Sequence, residues 1–262
     1  MNGCAVHISD LHDGKGPSPA LVDALQDLVA ELRPELVIAS GDLANRGRVD
    51  ELRRARALLD SLDAPTLAVP GNHDIPYTFP GRFTHPWRAF TQVLGGTNPI
   101  FSSEALVAAG LNSVRPWRHQ GGRLRPQDVE PAAAAFEDAP AGALRLAVLH
   151  HHLAGAPWRT SRKFPLKHRD RALNVLAAAG AELVVSGHIH QSSVVERHEF
   201  ETDCEAALVL ATAPGFERPR PHRRGEAQGL HVYYWDGVEL TVETRIWDGA
   251  AWAPSARRTF LR

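Results

Sequence analysis

Cysteine is almost missing from this chain, with two residues in 262, and Cys4 and Cys204 lie far apart. Their scarcity excludes a disulfide framework and any site built on several thiolates, and it fits a reducing compartment. An excess of one charge is missing too. Lys and Arg number 29 against 30 Asp and Glu, so no overall basic field would draw the chain to nucleic acid. No run of about 18 apolar residues could cross a bilayer, and the opening Met1-Asn2-Gly3-Cys4 lacks the basic and apolar regions of a secretory signal. The expectation is a soluble, cytoplasmic protein. Repeats, low-complexity tracts and linkers are also absent, and 44% hydrophobic residues suffice for a continuous core, so a single domain over 1–262 is expected.

Histidine, by contrast, is abundant at 14 residues, and several occupy one kind of place. Val37-Ile38-Ala39-Ser40 is a mostly apolar run stopped by Gly41-Asp42, the pattern of a buried strand whose carboxyl end carries a working residue. Four more runs repeat it. They end in Asp10-Leu11-His12, in Gly71-Asn72-His73-Asp74, in His150-His151-His152 and in Gly187-His188-Ile189-His190. In extended chain, alternate side chains share a side, so Asp10 and His12 point together, as do His188 and His190. Oxygen and imidazole donors without thiolate suit divalent or trivalent Mn, Fe or Zn, and they outnumber the needs of one four-coordinate ion. Two metal ions are the economical reading.

Between these ends, helices are expected from Ser18 to Leu32, from about Val49 to Leu62, from Trp87 to Leu94, from Pro126 to about Phe136 and from about Asp170 to Ala179. Arg48, Arg53, Arg54 and Arg56 read as a solvated helix face. Prolines through Ile75–Gln127 rule out long elements there, and Tyr77, Arg82, His85, Trp87 and Arg88 either form a substrate-facing wall or pack as ordinary loop. Leu106 to Ser113 reads as two strand pieces joined by a turn. Arg159 to Arg169 carries five positive charges in eleven residues, which either grip a phosphate or form a solvated loop. From Gln191 onward short alternating stretches suggest antiparallel strands, with a turn at Asp236-Gly237 and a basic loop at Arg218–Arg224.

Taken in order, Asp-x-His, Gly-Asp, Gly-Asn-His-Asp, a His cluster and Gly-His-x-His resemble the calcineurin-like metallophosphoesterase superfamily across residues 7–190. Gly71-Asn72-His73-Asp74-Ile75-Pro76 and Leu111-Asn112-Ser113 look most similar to its bacterial group related to cyclic-nucleotide phosphodiesterases. The resemblance implies an α/β fold, a four-layer αββα sandwich of two mixed β-sheets flanked by helices, with a dinuclear site at the strand ends. By motif position Asp10, His12, Asp42 and His190 would hold one ion, and Asp42, Asn72, His150 and His188 the other, with Asp42 bridging. The family pattern puts the ligand at the first histidine after the strand, hence His150 rather than His151. The implied activity is hydrolysis of a small phosphodiester, such as a 3′,5′-cyclic nucleotide or a glycerophosphodiester, by metal-bound hydroxide. His73 would protonate the leaving oxygen or stabilise the transition state, and Asp74 would hold the His73 ring. Candidates for gripping the substrate are His151, Arg46, Arg159 and Arg162. The alternatives are a phosphomonoesterase, a nuclease, which near-neutral charge disfavours, and a non-catalytic scaffold, which the full set of ligand positions disfavours. Exposed apolar surface in 75–127 or in the C-terminal strands would support a homodimer.

Overall fold

The structure is a computed structural model that describes residues 3–12, 14, 16–118, 120–154, 165–201, 207–216 and 225–262. Two six-stranded mixed sheets face each other. The first has the order β12-β11-β10-β1-β2-β3 and the second β4-β5-β6-β7-β9-β8. In the first, β1 (Gly3–Ile8), β2 (Leu36–Ala39) and β3 (Thr66–Ala68) run parallel. The chain's last strands, β10 (Gly229–Trp235), β11 (Glu239–Trp247) and β12 (Trp252–Leu261), extend it antiparallel. In the second, β5 (Leu106–Gly110), β6 (Leu144–Val148), β7 (Leu183–Ser186) and β9 (Val209–Thr212) are parallel. The edge strands β4 (Ile100–Ser102) and β8 (Ser193–Glu196) are antiparallel to their neighbours.

Strand alternation builds the layers. Val6, Ile8, Val37, Ala39, Leu230 and Val232 face outward onto Leu21, Leu25 and Leu28 of α1 (Pro19–Leu32), Leu52 and Leu59 of α2 (Val49–Asp60) and Phe90 of α4 (Arg88–Leu94). A one-turn helix, α3 (Gly81–Thr84), precedes α4. On the far side Val107, Ala109, Ala147, Val184 and Leu210 meet Val129 and Phe136 of α5 (Pro126–Glu137) and Leu173 and Leu176 of α6 (Arg169–Ala178). Between the sheets lie Leu36, Ile38, Leu67, Leu106, Leu144, Leu146, Leu183, Tyr233, Trp235, Leu240 and Val242. This is the expected αββα sandwich. Among the described residues no helix is long and apolar enough to cross a membrane.

Two expectations need correcting. Leu106–Gly110 is one strand, not part of a two-piece hairpin with Leu111–Ser113. Its antiparallel partner is β4, because the Ser103 hydroxyl caps the tight connection by accepting the Ala105 and Leu106 N–H groups, and the chain beyond Gly110 leaves the sheet. The C-terminal strands are not all antiparallel either. β9 lies parallel beside β7, and only β8 and β10–β12 pair as expected. The arginine face of α2 is solvated as read, with Arg54 and Arg56 paired to Asp50 and Asp60 one turn away. Cys204 and the Arg218–Arg224 loop lie outside the described residues.

Candidate metal centre

Five parallel strands, three from one sheet and two from the other, stop at the same end of the sandwich. The turns that follow β1 and β2 are stitched by Asp10 N–H donating to the Gly41 carbonyl at 3.0 Å and His12 N–H to that of Asp42 at 2.9 Å. Asp10, His12, Asp42, His188 and His190 all adopt left-handed backbone, with φ of 56°, 44°, 52°, 73° and 56°. Such non-glycine residues cost energy and persist where surrounding contacts over-determine them, typically at functional sites. The glycines beside them admit close neighbours. A Cβ on Gly41, itself at φ 93°, would stand 2.8 Å from Nδ1 of His150, and one on Gly187 would stand 1.8 Å from Oγ of Ser9.

These turns assemble two clusters. In the first, His190 Nε2 lies 3.1 Å from Asp10 Oδ1 and 3.1 Å from His12 Nε2, and His12 Nε2 lies 3.8 Å from Asp42 Oδ2. In the second, His150 Nε2 lies 3.3 Å from Asp42 Oδ2, 3.2 Å from Asn72 Oδ1 and 3.1 Å from His188 Nδ1. Asp42 belongs to both, and ligand atoms of Asp10–His12–His190, of His12–Asp42–His73 and of Asp42–His150–His188 each converge within 4.8 Å. All seven expected ligands are buried. The donor set fits cations on the structure's own terms. Asp10 Oδ1 is buried without a hydrogen-bond donor, and imidazole nitrogens at 3.1 Å from one another must share a proton or a positive ion.

Electrostatics separate the clusters. Burial alone would raise the Asp42 carboxyl, but His150 and His73 hold it well below the usual carboxylate range. Asp10 is likewise depressed, its burial outweighed by His190 and His150. Burial lowers the His12 ring to about 3 despite Asp42 and Asp10, leaving a neutral imidazole. Burial acts the same way on His150, yet Asp42 at 3.3 Å prevails and raises it to about 9. Without metal, one cluster offers a ready ligand and the other an imidazolium paired to a carboxylate.

The remaining expected residues separate. His73 borders the clusters: its backbone N–H donates to Asp42 Oδ1 at 2.8 Å, its Nδ1 lies 2.8 Å from the Asn45 carbonyl, and the Tyr77 hydroxyl lies 3.2 Å from Nε2. Asp74 does not hold that ring. It accepts Ala44 and Gly71 N–H groups, both at 2.7 Å, and so clamps the β2 and β3 turns together; burial and the Asp42 charge raise it to about 7. A short carboxylate next in sequence to the ring cannot also reach it from there, and a backbone carbonyl takes that part. His151 is buried at 1% exposure, with Nδ1 2.8 Å from the Ser113 hydroxyl and its ring 4.7 Å from that of His188. Arg46 is exposed, its N–H bound to Glu51. Arg159 and Arg162 lie outside the described residues. Among the wall candidates, Arg82 is 2% exposed and donates to the Pro76, Pro116 and Arg118 carbonyls, tying two loops together, while Tyr77 reaches His73.

Reasoning from residue types missed the groups that orient the ligands. Ser40 accepts His150 Nδ1–H on its carbonyl at 2.9 Å, Ser9 donates to Asp10 Oδ2 at 2.7 Å, and Asn45 holds His73. Two of these act through backbone carbonyls, which every residue carries, so no residue type could have flagged them.

Comparison with known proteins agrees with this geometry. A probable cyclic nucleotide phosphodiesterase of Synechococcus sp. is 27% identical over 205 residues, covering 72% of this chain and 74% of that protein. A segment of 53 residues is 45% identical to the glycerophosphodiester phosphodiesterase GpdQ of Enterobacter lignolyticus, spanning 18% of this chain and 19% of that enzyme. The fold superposes on purple acid phosphatase PPD1 from yellow lupin with a TM-score of 0.72 at 12% identity, covering 100% of this chain and 54% of the lupin chain. The calcineurin-like phosphoesterase profile matches residues 5–192, the span holding both clusters and all five strand ends where ligands are expected, and the chain belongs to that family.

Proposed function

We propose that this chain is a metal-dependent phosphodiesterase acting on a small phosphodiester, such as a 3′,5′-cyclic nucleotide or a glycerophosphodiester. The observation that carries the reading is Asp42, a buried carboxylate within reach of His12 on one side and His150 on the other. Asp10, His12, Asp42 and His190 would hold one ion, and Asp42, Asn72, His150 and His188 the second. Two such ions, when bound, neutralise charge building on phosphoryl oxygens and lower the pKa of water at the site.

The chain's own residues supply the rest. His73 Nδ1–H donates to the Asn45 carbonyl, which fixes the tautomer and leaves Nε2 as the atom that carries a transferable proton. Protonated there, it delivers that proton to the departing alkoxide oxygen; the Asn45 carbonyl stabilises the imidazolium meanwhile. Asp74 keeps the His73 turn against the Asp42 turn by accepting the Ala44 and Gly71 N–H groups on its carboxylate. The preference for diesters is supported by relatives named as phosphodiesterases.

The test is hydrolysis of bis(p-nitrophenyl) phosphate against p-nitrophenyl phosphate by metal-stripped protein resupplied with Mn²⁺, beside Asp42→Asn. Faster diester cleavage that vanishes in the variant is expected. Faster monoester cleavage would replace this reading with a phosphomonoesterase, and silence on both substrates with metal bound would remove catalysis from it.

A further inference from the structure

A run of buried polar groups lines the inner face of the first sheet directly under the clusters and meets the second sheet's side at Ser192. It starts at Ser40, the residue before Gly41-Asp42, whose Oγ lies 2.8 Å from His7 Nε2. His7 Nδ1 meets the Tyr233 hydroxyl at 2.8 Å, and that hydroxyl lies 3.4 Å from His231 Nδ1. His231 Nε2 continues to Ser192 Oγ at 3.0 Å, and Ser192 to Thr244 Oγ1 at 3.1 Å. His7, Tyr233, His231 and Ser40 are 0% exposed, in a layer whose other members are mostly aliphatic and aromatic.

The run closes chemically without any added charge. Burial drives His7 well below its ordinary pKa and His231 to about 3, so both rings are neutral, each with one N–H and one acceptor nitrogen. Each hydroxyl inside the run, on Tyr233 and Ser192, likewise gives one hydrogen and takes one. All the bonds can therefore point the same way, from Ser40 O–H through His7, Tyr233 and His231 to Ser192 and Thr244, with every group satisfied. Its two ends matter most. Ser40 turns its carbonyl onto Nδ1 of His150, and Ser192 stands two residues after His190. Ser40, His7, Tyr233, His231 and Thr244 belong to the first sheet, and Ser192, just before β8, is the link to the second.

We infer that His7, Tyr233 and His231 are positioning residues for the dinuclear site, a hydrogen-bonded tie that sets the spacing of the two sheets where they present Asp42 with His150 and His190. The tie orients the His150 ring through Ser40 and anchors the His190 turn through Ser192. This inference rests on the dinuclear reading of the site and not on which phosphoester is cleaved.

The experiment measures Mn²⁺ stoichiometry and affinity by competition with a chelating dye, alongside melting of the metal-free chain. Tyr233→Phe removes one hydroxyl and leaves the ring shape intact; Ser192→Ala cuts the far end should Tyr233→Phe not fold. Thr241→Val is the control, because it breaks the 2.8 Å Thr241–Thr259 hydrogen bond in the same sheet, outside the tie. The expected result is an affinity for Mn²⁺ at least about tenfold weaker in the tie variants, as for groups that orient metal-binding rings, with the control at the wild-type value. Tie variants that melt lower but bind Mn²⁺ like the wild type would reduce the run to core packing and overturn the inference. Wild-type chain that binds no Mn²⁺ would overturn both this and the metal reading, whereas missing diester hydrolysis with two ions bound would overturn only the proposed activity.

Discussion

The layer between the sheets has two different ends. Where the parallel strands begin, it is apolar: Leu36, Leu106, Leu144 and Leu183 open their strands, joined by Trp235 and Leu240 from the antiparallel pair. Where they finish, the same layer holds His7, Ser40, Tyr233, His231 and Thr244, and beyond them come buried Asp, Asn and His on left-handed backbone. β10 shows the gradient within one strand, as its inward residues run His231, Tyr233, Trp235 away from the site. The difference teaches that burial and packing at one end stabilise the fold, so the other end can hold strained turns and close charges that favour function over stability.

That contrast can be broken most severely at Asp42. Asp42→Asn removes the carboxylate common to both clusters, and metal-dependent turnover is expected to fall at least about a thousandfold, on the order of 4 kcal/mol; steady-state kinetics at saturating Mn²⁺ would show it. At the apolar end, Leu144→Ala should do the reverse. It opens a cavity costing about 3 kcal/mol in urea unfolding, while turnover per folded molecule stays within about twofold, since no packing near the ligands changes. Equal damage to both properties would mean the ends are not separable.

His73→Ala sharpens the comparison inside the site. Losing a proton donor should lower kcat about a hundredfold, roughly 2.7 kcal/mol, with metal content by atomic emission unchanged. Loss of an ion would make His73 a ligand instead, which the Asp42–His12–His73 grouping would then explain.

A smaller effect comes from pH. The folded-state pKa of His150, about 9, lies above its ordinary value, so its pairing with Asp42 stabilises the metal-free fold fully below about 6.5 and is lost as pH rises through about 9. Metal needs the neutral ring. Affinity at the His150 cluster should therefore climb about tenfold per pH unit from 7 to 9, whereas His12, lowered to about 3, adds no such slope. Titrations at three pH values would reveal it, and a flat response would show that Asp42 does not hold a proton on His150. Least of all should matter Arg54→Ala on the solvated face of α2. Its pair with Asp50 is 3.4 Å long between exposed groups, and a melting shift within about 0.5 kcal/mol is expected.

Much of the centre was legible because its signals are local. An apolar run that stops at Gly-Asp or Gly-His marks a strand and its load at once. Alternation did not carry past the strand ends: Asp10, His12, His188 and His190 lie on left-handed backbone, and His188 joins His150 while His190 joins Asp10 and His12. The failures are equally specific. His151 looked as able to serve as His150, and both are buried; outside a family resemblance they are separated by reach, since His150 Nε2 meets Asp42, Asn72 and His188 while His151 Nδ1 turns to Ser113. Asp74 looked like the partner of His73 because it adjoins it, while the ring turns to a carbonyl 28 residues earlier. His7 carries no signal along the chain, since nothing local tells an imidazole bound at both nitrogens from one in a gap.

By itself the sequence determined which strands end in Asp, Asn and His, that the donors on offer are oxygen and imidazole, and, through the order of its motifs, that the family is one of phosphoester hydrolases. Tertiary structure alone decided that three of the Asp- and His-bearing turns come from one sheet and two from the other, that Asp42 meets both clusters, and that Ser40, Asn45 and Tyr233 do the orienting. Those are contacts between segments up to 226 residues apart, formed by groups that carry no pattern along the chain until the sheets face each other.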